Sequence, residues 1–283
     1  MTEPEASKTA LGAAVLRAVH QLVDATPRIL DDPVILQILS PSALDGIRAD
    51  PARYQTPRSL GLRSHAVIRS RYAEDRLAQA VPRGARQLLI LGAGFDTFPY
   101  RQPAWAKDLH IFEVDHPATQ REKLARLQTA AIAIPPNVEY VAIDFEATSL
   151  ADGLRASQFD FTQPAFVSWL GVLVYLSQEA ADAVFRFATR LPPPSEIVFT
   201  FSTPLPSQEK PGRRAPSLAD RVAQLDEPFK YLVTPADLTS HLQDLGYSDV
   251  SIPTQAEIQA WYIQDRQDGL YAAQRPTLAS AQR

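Results

Sequence analysis

Short aliphatic runs with little polar alternation mark the middle of the chain, at residues 87–91 (QLLIL), 109–114, 138–143, 166–170 and 197–202. Such runs suit parallel strands, which are covered on both faces and need not alternate. Between them, residues 118–131 and 178–191 carry apolar positions at helical spacing. Strands alternating with helices predict right-handed βαβ units on a parallel sheet.

The flanks read differently. Residues 10–80 predict helices joined by proline-containing turns, with Leu11, Val15, Leu16, Val19, Leu22 and Val23 on one face, and a further helix over 63–81 that stops before Pro82. Residues 203–233 break the rhythm with TPLPSQEKPGRRAPS, followed by Ser217 and Asp220 as a capping pair and a stripe of Leu218, Val222 and Leu225. That segment is a lid or a surface excursion. A helix follows with Thr234 as N-cap, Pro235 at its first position, Leu238, Leu242 and Leu245 inward, and Gly246 as its stop. Two strand-like runs in 247–264 are expected to close the sheet as a hairpin. The expected layout is one domain: a helical cap (1–82), a cofactor-binding core (83–202), a lid insert (203–233) and a C-terminal helix with closing strands (234–283).

Composition narrows the chemistry. The chain has 283 residues, of which 45% are hydrophobic, so it can bury a substantial core. A net charge of -4 argues against broad nucleic-acid binding. The absence of cysteine removes disulfides, thiolate catalysis and cysteine-bound metal. The five histidines (His20, His65, His110, His116 and His241) have no metal-ligand spacing, so no metal is expected. The first apolar stretch is interrupted by Arg17 and His20, unlike a signal peptide or membrane span, and a cytoplasmic location is expected.

Candidate chemistry lies just after the strands, because open parallel sheets bind ligands beyond their carboxyl ends. The first strand runs into Gly92-Ala93-Gly94 with Asp96 close behind. The second ends at Asp115, 115 − 92 = 23 residues beyond the first glycine. A carboxylate at that interval can accept from both hydroxyls of an adenosine ribose. Asp144 and Phe145 follow the third strand, where an acid can accept from an exocyclic amine and a ring can flank a purine. Leu170 and Gly171 leave the fourth, and Tyr175 beyond them suits an acceptor pocket. Dinucleotide sites usually read G-x-G-x-x-G, whereas Thr97 stands here at the third glycine's place and Asp96 would repel phosphate. S-adenosylmethionine lacks phosphate and carries cationic sulfonium and ammonium groups, which an acid in the loop suits. His116 reads as a helix N-terminal residue, and Arg213 with Arg214 as solvated charges.

GAGFDTFPYR, FEVDHPATQREK, DFE and WLGVLVYL, in that order, resemble the motifs of the leucine carboxyl methyltransferase-like family, which includes bacterial polyketide-type O-methyltransferases. The likeness runs from the 63–81 helix to the 262–270 tail. It implies a class I, Rossmann-like methyltransferase fold of α/β type and S-adenosylmethionine as cofactor, with S-adenosylhomocysteine as product. It further implies that Gly92 and Gly94 face the methionine part, Asp115 the ribose, and Asp144 with Phe145 the adenine, and that an arginine before the first strand takes the methionine carboxylate. Arg69 is the positional match. Arg71 has Asp75 four residues on and reads as a surface ion pair, whereas Arg69, Arg63 and Arg76 have no such acid. Many members carry Glu where Leu170 stands, so no carboxylate role is carried over there; the Trp-Leu-Gly variant is commoner in the small-molecule branch.

The resulting expectation is methyl transfer to an oxygen of a small-molecule acceptor, with no nucleic-acid or membrane partner. Two alternatives remain: a nicotinamide-dependent oxidoreductase on a similar sheet, and a non-catalytic cofactor-binding protein. The acceptor, the general base and the oligomeric state are not given by the sequence.

Overall fold

The computed structural model describes residues 7–145, 147–204, 229–273 and 277–283. Its sheet has the order β3-β2-β1-β4-β5-β7-β6. Five strands run parallel: β1 (Gln87–Leu91), β2 (His110–Asp115), β3 (Val138–Ala142), β4 (Ala165–Trp169) and β5 (Glu196–Phe201), while β7 (Thr277–Gln282) is antiparallel to both β5 and β6 (Asp249–Ser251). Strand order reverses at β1, which lies between β2 and β4. A crevice beyond the carboxyl ends of β1 and β4 is the geometric consequence.

The aliphatic runs become strands because helices cover both faces of the sheet. Leu89 and Leu91 face a core shared with α6 (Leu150–Leu154), α7 (Gln178–Thr189) and α8 (Pro235–Asp244), through residues such as Phe112, Val167, Phe185 and Leu238. Leu88 and Ile90 point the other way, toward Val67, Ile68, Tyr72 and Leu77 of α4 (Pro57–Arg83). Every β1 side chain is buried, so a Leu→Ala change at Leu89 costs about 2–5 kcal/mol.

A third cluster belongs to the N-terminal helices. α1 (Lys8–Val23), α2 (Pro33–Ile38) and α3 (Pro41–Ala49) pack Ala14, Val19, Ile35, Leu44 and Ile47 around Phe95, which comes from the loop after β1, and Leu127 of α5 (Pro117–Thr129). The cap therefore rests directly on the glycine loop. No helix among the described residues is long and apolar enough to cross a membrane.

The structure corrects two boundaries. α4 does not stop before Pro82 but runs from Pro57 to Arg83. Proline is tolerated there because the residue sits in the last turn, where its missing N–H breaks one bond and the chain then leaves the helix. The expected closing hairpin in 247–264 does not form. After β6, Pro253 is followed by a capping box between Thr254 and Glu257 that starts α9 (Gln255–Ile258), which runs on into a π-helical turn (Gln259–Ile263). The strand that completes the sheet is β7, farther along the chain. The helix expected at 217–225, with Arg213 and Arg214, lies outside the described residues. So does most of the expected lid.

Candidate active site

A cavity of about 840 Å³ occupies the crevice beyond β1 and β4, within the rough 300–1,000 Å³ range of small-molecule sites. Arg69, Gly92, Ala93, Gly94, Asp96, Asp115, Asp144, Phe145, Leu170 and Tyr175 all line it. Residues separated along the chain thus meet on one surface because each directly follows a strand or faces the crevice from α4.

The glycine loop is shaped by β2. The N–H groups of Gly92 and Ala93 both donate to Val114 O, at 2.8 and 3.1 Å. Gly92 has φ +63, and a Cβ there would overlap Val172, so both its conformation and its neighbour exclude a side chain. Gly94 N–H donates to one oxygen of Asp115, and His116 N–H donates to the other at 2.6 Å. Burial raises the Asp115 pKa while these two amides pull it back. An ionised carboxylate has roughly four lone-pair sites, which leaves acceptor capacity toward the cavity. His116 is the N-cap of α5, accepting from Ala118 N–H at 3.2 Å.

Asp96 is embedded in a cationic setting. Burial alone would raise its pKa, but Arg17, Lys123, the Phe98 N–H and Arg101 together hold it below the usual carboxylate value. Its carboxylate accepts from Phe98 N–H at 2.8 Å. Beside it, Arg17 of α1 donates to Phe95 O (3.0 Å), Thr97 Oγ1 (3.1 Å) and Asp32 (3.0 Å), while Thr97 donates to Asp32 at 2.6 Å. Cap and loop are joined by this buried network.

The arginines of α4 divide clearly. Arg63 makes two bonds to Asp24, both 2.7 Å; Arg71 pairs with Asp75 at 2.8 Å; Arg76 pairs with Glu196 at 2.6 Å. Arg69 makes no hydrogen bond or ion pair with the described residues. Its guanidinium faces the cavity and lies against Gly171, where a Cβ would overlap Nη1. Burial, with a smaller push from Arg17, lowers its pKa to about 10, so it remains a cation at neutral pH. One turn earlier on the same face stands His65, whose pKa burial and Arg69 lower to about 3. Its Nε2 is shut off from solvent and has no hydrogen-bond partner among the described residues.

The β4–β5 side supplies the remaining wall. Thr200 Oγ1 accepts from Gly171 N–H at 2.7 Å, fixing the turn that carries Leu170. Tyr175 packs edge-on against Phe229, with ring centroids 5.7 Å apart. The chain re-enters the described structure there: Lys230 and Tyr231 N–H donate to Val174 O at 2.7 and 3.2 Å, and Val233 N–H donates to Ser202 O at 3.0 Å.

Sequence reasoning did not place His65, Val172, Thr200, Ser202 or the α1 face in the wall. Ala10 of α1 sits above the glycine loop, 3.2 Å from where a Gly94 Cβ would lie. The small residues of ALGAAVL (Ala10–Leu16) are the trace of that close approach in the sequence, and helices use such residues for many purposes. A second groove of about 670 Å³ between α6 and α7 shares Phe145 but no other expected site residue. Among the described residues, no group of three or more His, Asp or Glu is placed to hold a metal ion.

Comparison with known proteins matches the sequence to a family model and the fold to solved structures. The model described as "Leucine carboxyl methyltransferase" matches residues 10–189. A Bacillus subtilis (strain 168) protein named "Putative S-adenosyl-L-methionine-dependent methyltransferase YktD" is 29% identical, over 96% of each chain. A Mycobacterium tuberculosis (strain ATCC 25177 / H37Ra) protein, named in the same words without the final designation, is 32% identical over 69% of this chain and 65% of its own. Among solved structures, a DUF574 family protein from Streptomyces avermitilis has TM-score 0.58 at 18% identity, covering 99% of this chain and 98% of its own. One titled a "putative methyltransferase" from Thermobifida fusca YX has TM-score 0.55 at 20% identity, covering 96% and 94%. At those identities the structural likeness speaks for the fold.

Proposed function

The chain belongs to the leucine carboxyl methyltransferase family, and on that premise we propose that it is an S-adenosylmethionine-dependent methyltransferase whose acceptor is an oxygen of a small molecule. The observation that carries the cofactor reading is the charge pattern of the cavity. One half-buried guanidinium without an ion pair among the described residues, Arg69, faces it, while Asp96, Asp115 and Asp144 line the loops after β1, β2 and β3. A polyphosphate would meet those carboxylates at close range. A ligand with one carboxylate, a cationic centre and a ribose suits them all.

S-adenosylmethionine, when bound, supplies a methyl carbon already activated by the sulfonium. Arg69 would hold the carboxylate, Asp115 the ribose hydroxyls, and Asp144 with Phe145 the adenine. The protein's remaining tasks are to orient the acceptor and exclude water. α1 covers the glycine loop, and the segment at Phe229–Lys230 joins the opposite wall, an enclosure that suits a small acceptor better than a protein tail. On this reading Tyr175, whose ring packs against Phe229, would orient the acceptor oxygen.

Thermal shift with S-adenosylhomocysteine against NAD tests the cofactor: stabilisation by NAD alone would reverse the reading. Transfer of labelled methyl to a panel of small hydroxy and carboxylic acids tests the acceptor class. Alkaline release of labelled methanol then separates methyl esters from ethers. Label found only on carbon, nitrogen or protein overturns the proposal of a small-molecule oxygen.

A further inference from the structure

The hydroxyls on the cavity wall are not equally engaged. Ser70 Oγ donates to Ala66 O within α4 at 3.4 Å, and Thr200 Oγ1 accepts from Gly171 N–H. Ser202, one residue past β5, lines the same cavity and is 8% exposed. Its backbone O accepts from Val233 N–H, but its Oγ makes no hydrogen bond to any described residue. Unlike His65 Nε2 and Trp169 Nε1, that oxygen is not closed off; it opens onto the cavity. A hydroxyl withdrawn from bulk water and left unpaired is costly unless a ligand or a cavity water completes it.

The place of Ser202 assigns it to the acceptor rather than the cofactor. From Arg69 the wall runs to Gly171, against which the guanidinium lies, and then to Thr200, which Gly171 bonds. Ser202 is two residues farther, about 7 Å beyond Thr200 along the extended chain. There the returning segment closes in, with Lys230 and Tyr231 N–H on Val174 O and Val233 N–H on Ser202 O. Tyr175, Phe229 and Ser202 therefore share one end of the cavity, where Val174 and Leu176 supply apolar wall.

We propose that Ser202 sets acceptor specificity by hydrogen-bonding a second oxygen of the acceptor, which is an apolar body bearing two oxygens, one methylated beside Tyr175 and one held by Ser202. The inference rests on the methyltransferase reading above. A serine hydroxyl both donates and accepts, so it takes a hydroxyl or a carbonyl oxygen. Ser168 is the rival, since it lines the same cavity, is buried, and its Oγ also makes no hydrogen bond to any described residue. It lies deeper, level with Val198 in the middle of β5. There it borders a void of about 20 Å³ shared with Ser70 and Glu74, which has room for one water. Ser202 is the open hydroxyl at the acceptor end. It binds and transfers no proton.

The test uses probes that differ by one oxygen: 1,2- and 1,3-dihydroxybenzene against phenol, and 3-hydroxyoctanoic acid against octanoic acid. Transfer of labelled methyl, and binding of each probe to the S-adenosylhomocysteine-loaded protein by NMR titration, are measured on wild type, Ser202→Ala, Ser202→Thr and Ser168→Ala. Wild type should favour the two-oxygen member of at least one pair by about tenfold in both readouts, the scale of one buried hydrogen bond. Ser202→Ala should lose most of that preference, chiefly through KM, with S-adenosylhomocysteine affinity unchanged. Ser202→Thr keeps the hydroxyl and should retain part of the preference, and Ser168→Ala should retain it. Because Ser202 Oγ has no partner among the described residues, Ser202→Ala should not lower the melting temperature of the unliganded protein; a clear drop makes the hydroxyl structural and overturns the inference. Equal handling of both members by wild type overturns it too. So does an undiminished preference in Ser202→Ala, which leaves Oγ to a cavity water or gives the second oxygen to Ser168. If no probe is bound or methylated while S-adenosylhomocysteine binds, this acceptor class is overturned and the cofactor reading stands. If S-adenosylhomocysteine itself fails to bind, the cofactor reading falls and the inference with it.

Discussion

The guanidinium of Arg69 lies against Gly171 so closely that no side chain fits between them. Gly171 also has φ +76, a conformation that side chains disfavour. Gly171→Ala should therefore displace Arg69 as well as strain the turn after β4. S-adenosylhomocysteine affinity is expected to fall at least as far as in Arg69→Met, with a loss of stability of about 1–3 kcal/mol. Calorimetry and chemical denaturation read the two effects separately. Retention of full affinity would show that Arg69 has room to re-aim.

Arg69→Met keeps the aliphatic stem and removes the fork. It should weaken S-adenosylhomocysteine far more than 5′-methylthioadenosine, which lacks the carboxylate. Arg71→Met is the control, because Arg71 is half exposed and pairs with Asp75 within its own helix; such pairs contribute only about 0.3–0.5 kcal/mol. The opposite ranking would move the carboxylate site to another residue.

The parallel half of the sheet is legible in the sequence because strands such as LLIL must be apolar on both faces to be buried between helices. β7 is not, because TLASAQ carries only one large apolar side chain, Leu278, and becomes a strand by pairing with β5 and β6 rather than by its own pattern. The strand ends are legible as candidate site positions, since topology sends whatever follows β1–β4 to one crevice. His65 and the α1 face are not. A histidine on a helix carries no signal of having no partner, and the contact of Ala10 with the glycine loop depends on how the cap docks. Arg63 and Arg76 could be separated from Arg69 only by their partners Asp24 and Glu196, which are distant in sequence.

Asp115 serves the protein and the ligand together. Its carboxylate receives the Gly94 and His116 amides, so Asp115→Ala should lower the stability of the unliganded protein by about 1–3 kcal/mol as those amides lose their acceptor. S-adenosylhomocysteine affinity should fall at least tenfold, consistent with loss of hydrogen bonds to a charged group. Asp115→Asn keeps one acceptor oxygen and should restore part of the stability but less of the affinity. Unchanged affinity in both variants would remove Asp115 from the ribose site.

His65 gives stability a pH dependence of known sign. Its pKa is about 3 in the folded protein against 6.5 for an ordinary histidine. Between those values the unfolded chain binds a proton that the folded protein does not. The contribution is present above pH 6.5 and is lost as pH falls toward 3, with a limiting slope of about 1.4 kcal/mol per pH unit. Carboxylates add their own acid dependence, so the readout is the difference between wild type and His65→Gln in urea unfolding at successive pH values. That difference should shift in favour of the variant as pH drops from 6.5 to 4. A constant difference would mean that His65 titrates normally.

Arg17 is the clearest test of whether the cap belongs to the binding site. It sits on α1, yet its donors reach Phe95 O and Thr97 in the loop after β1 and the carboxylate of Asp32. Removing one partner of a buried pair costs about 3–5 kcal/mol, and Arg17→Met should fall at the lower end because Arg101 remains 3.5 Å from Asp32. Thr97→Val breaks the hydroxyl's bonds but keeps the ion pair, so it separates loss of the network from loss of charge. If α1 holds the glycine loop in its binding shape, both variants should weaken S-adenosylhomocysteine, with faster dissociation the main change because the closed cap retains the ligand. Stopped-flow dissociation measures that rate directly. A drop in melting temperature with an unaltered dissociation rate would make the network a fastening of the fold alone and leave the cap outside the binding cycle.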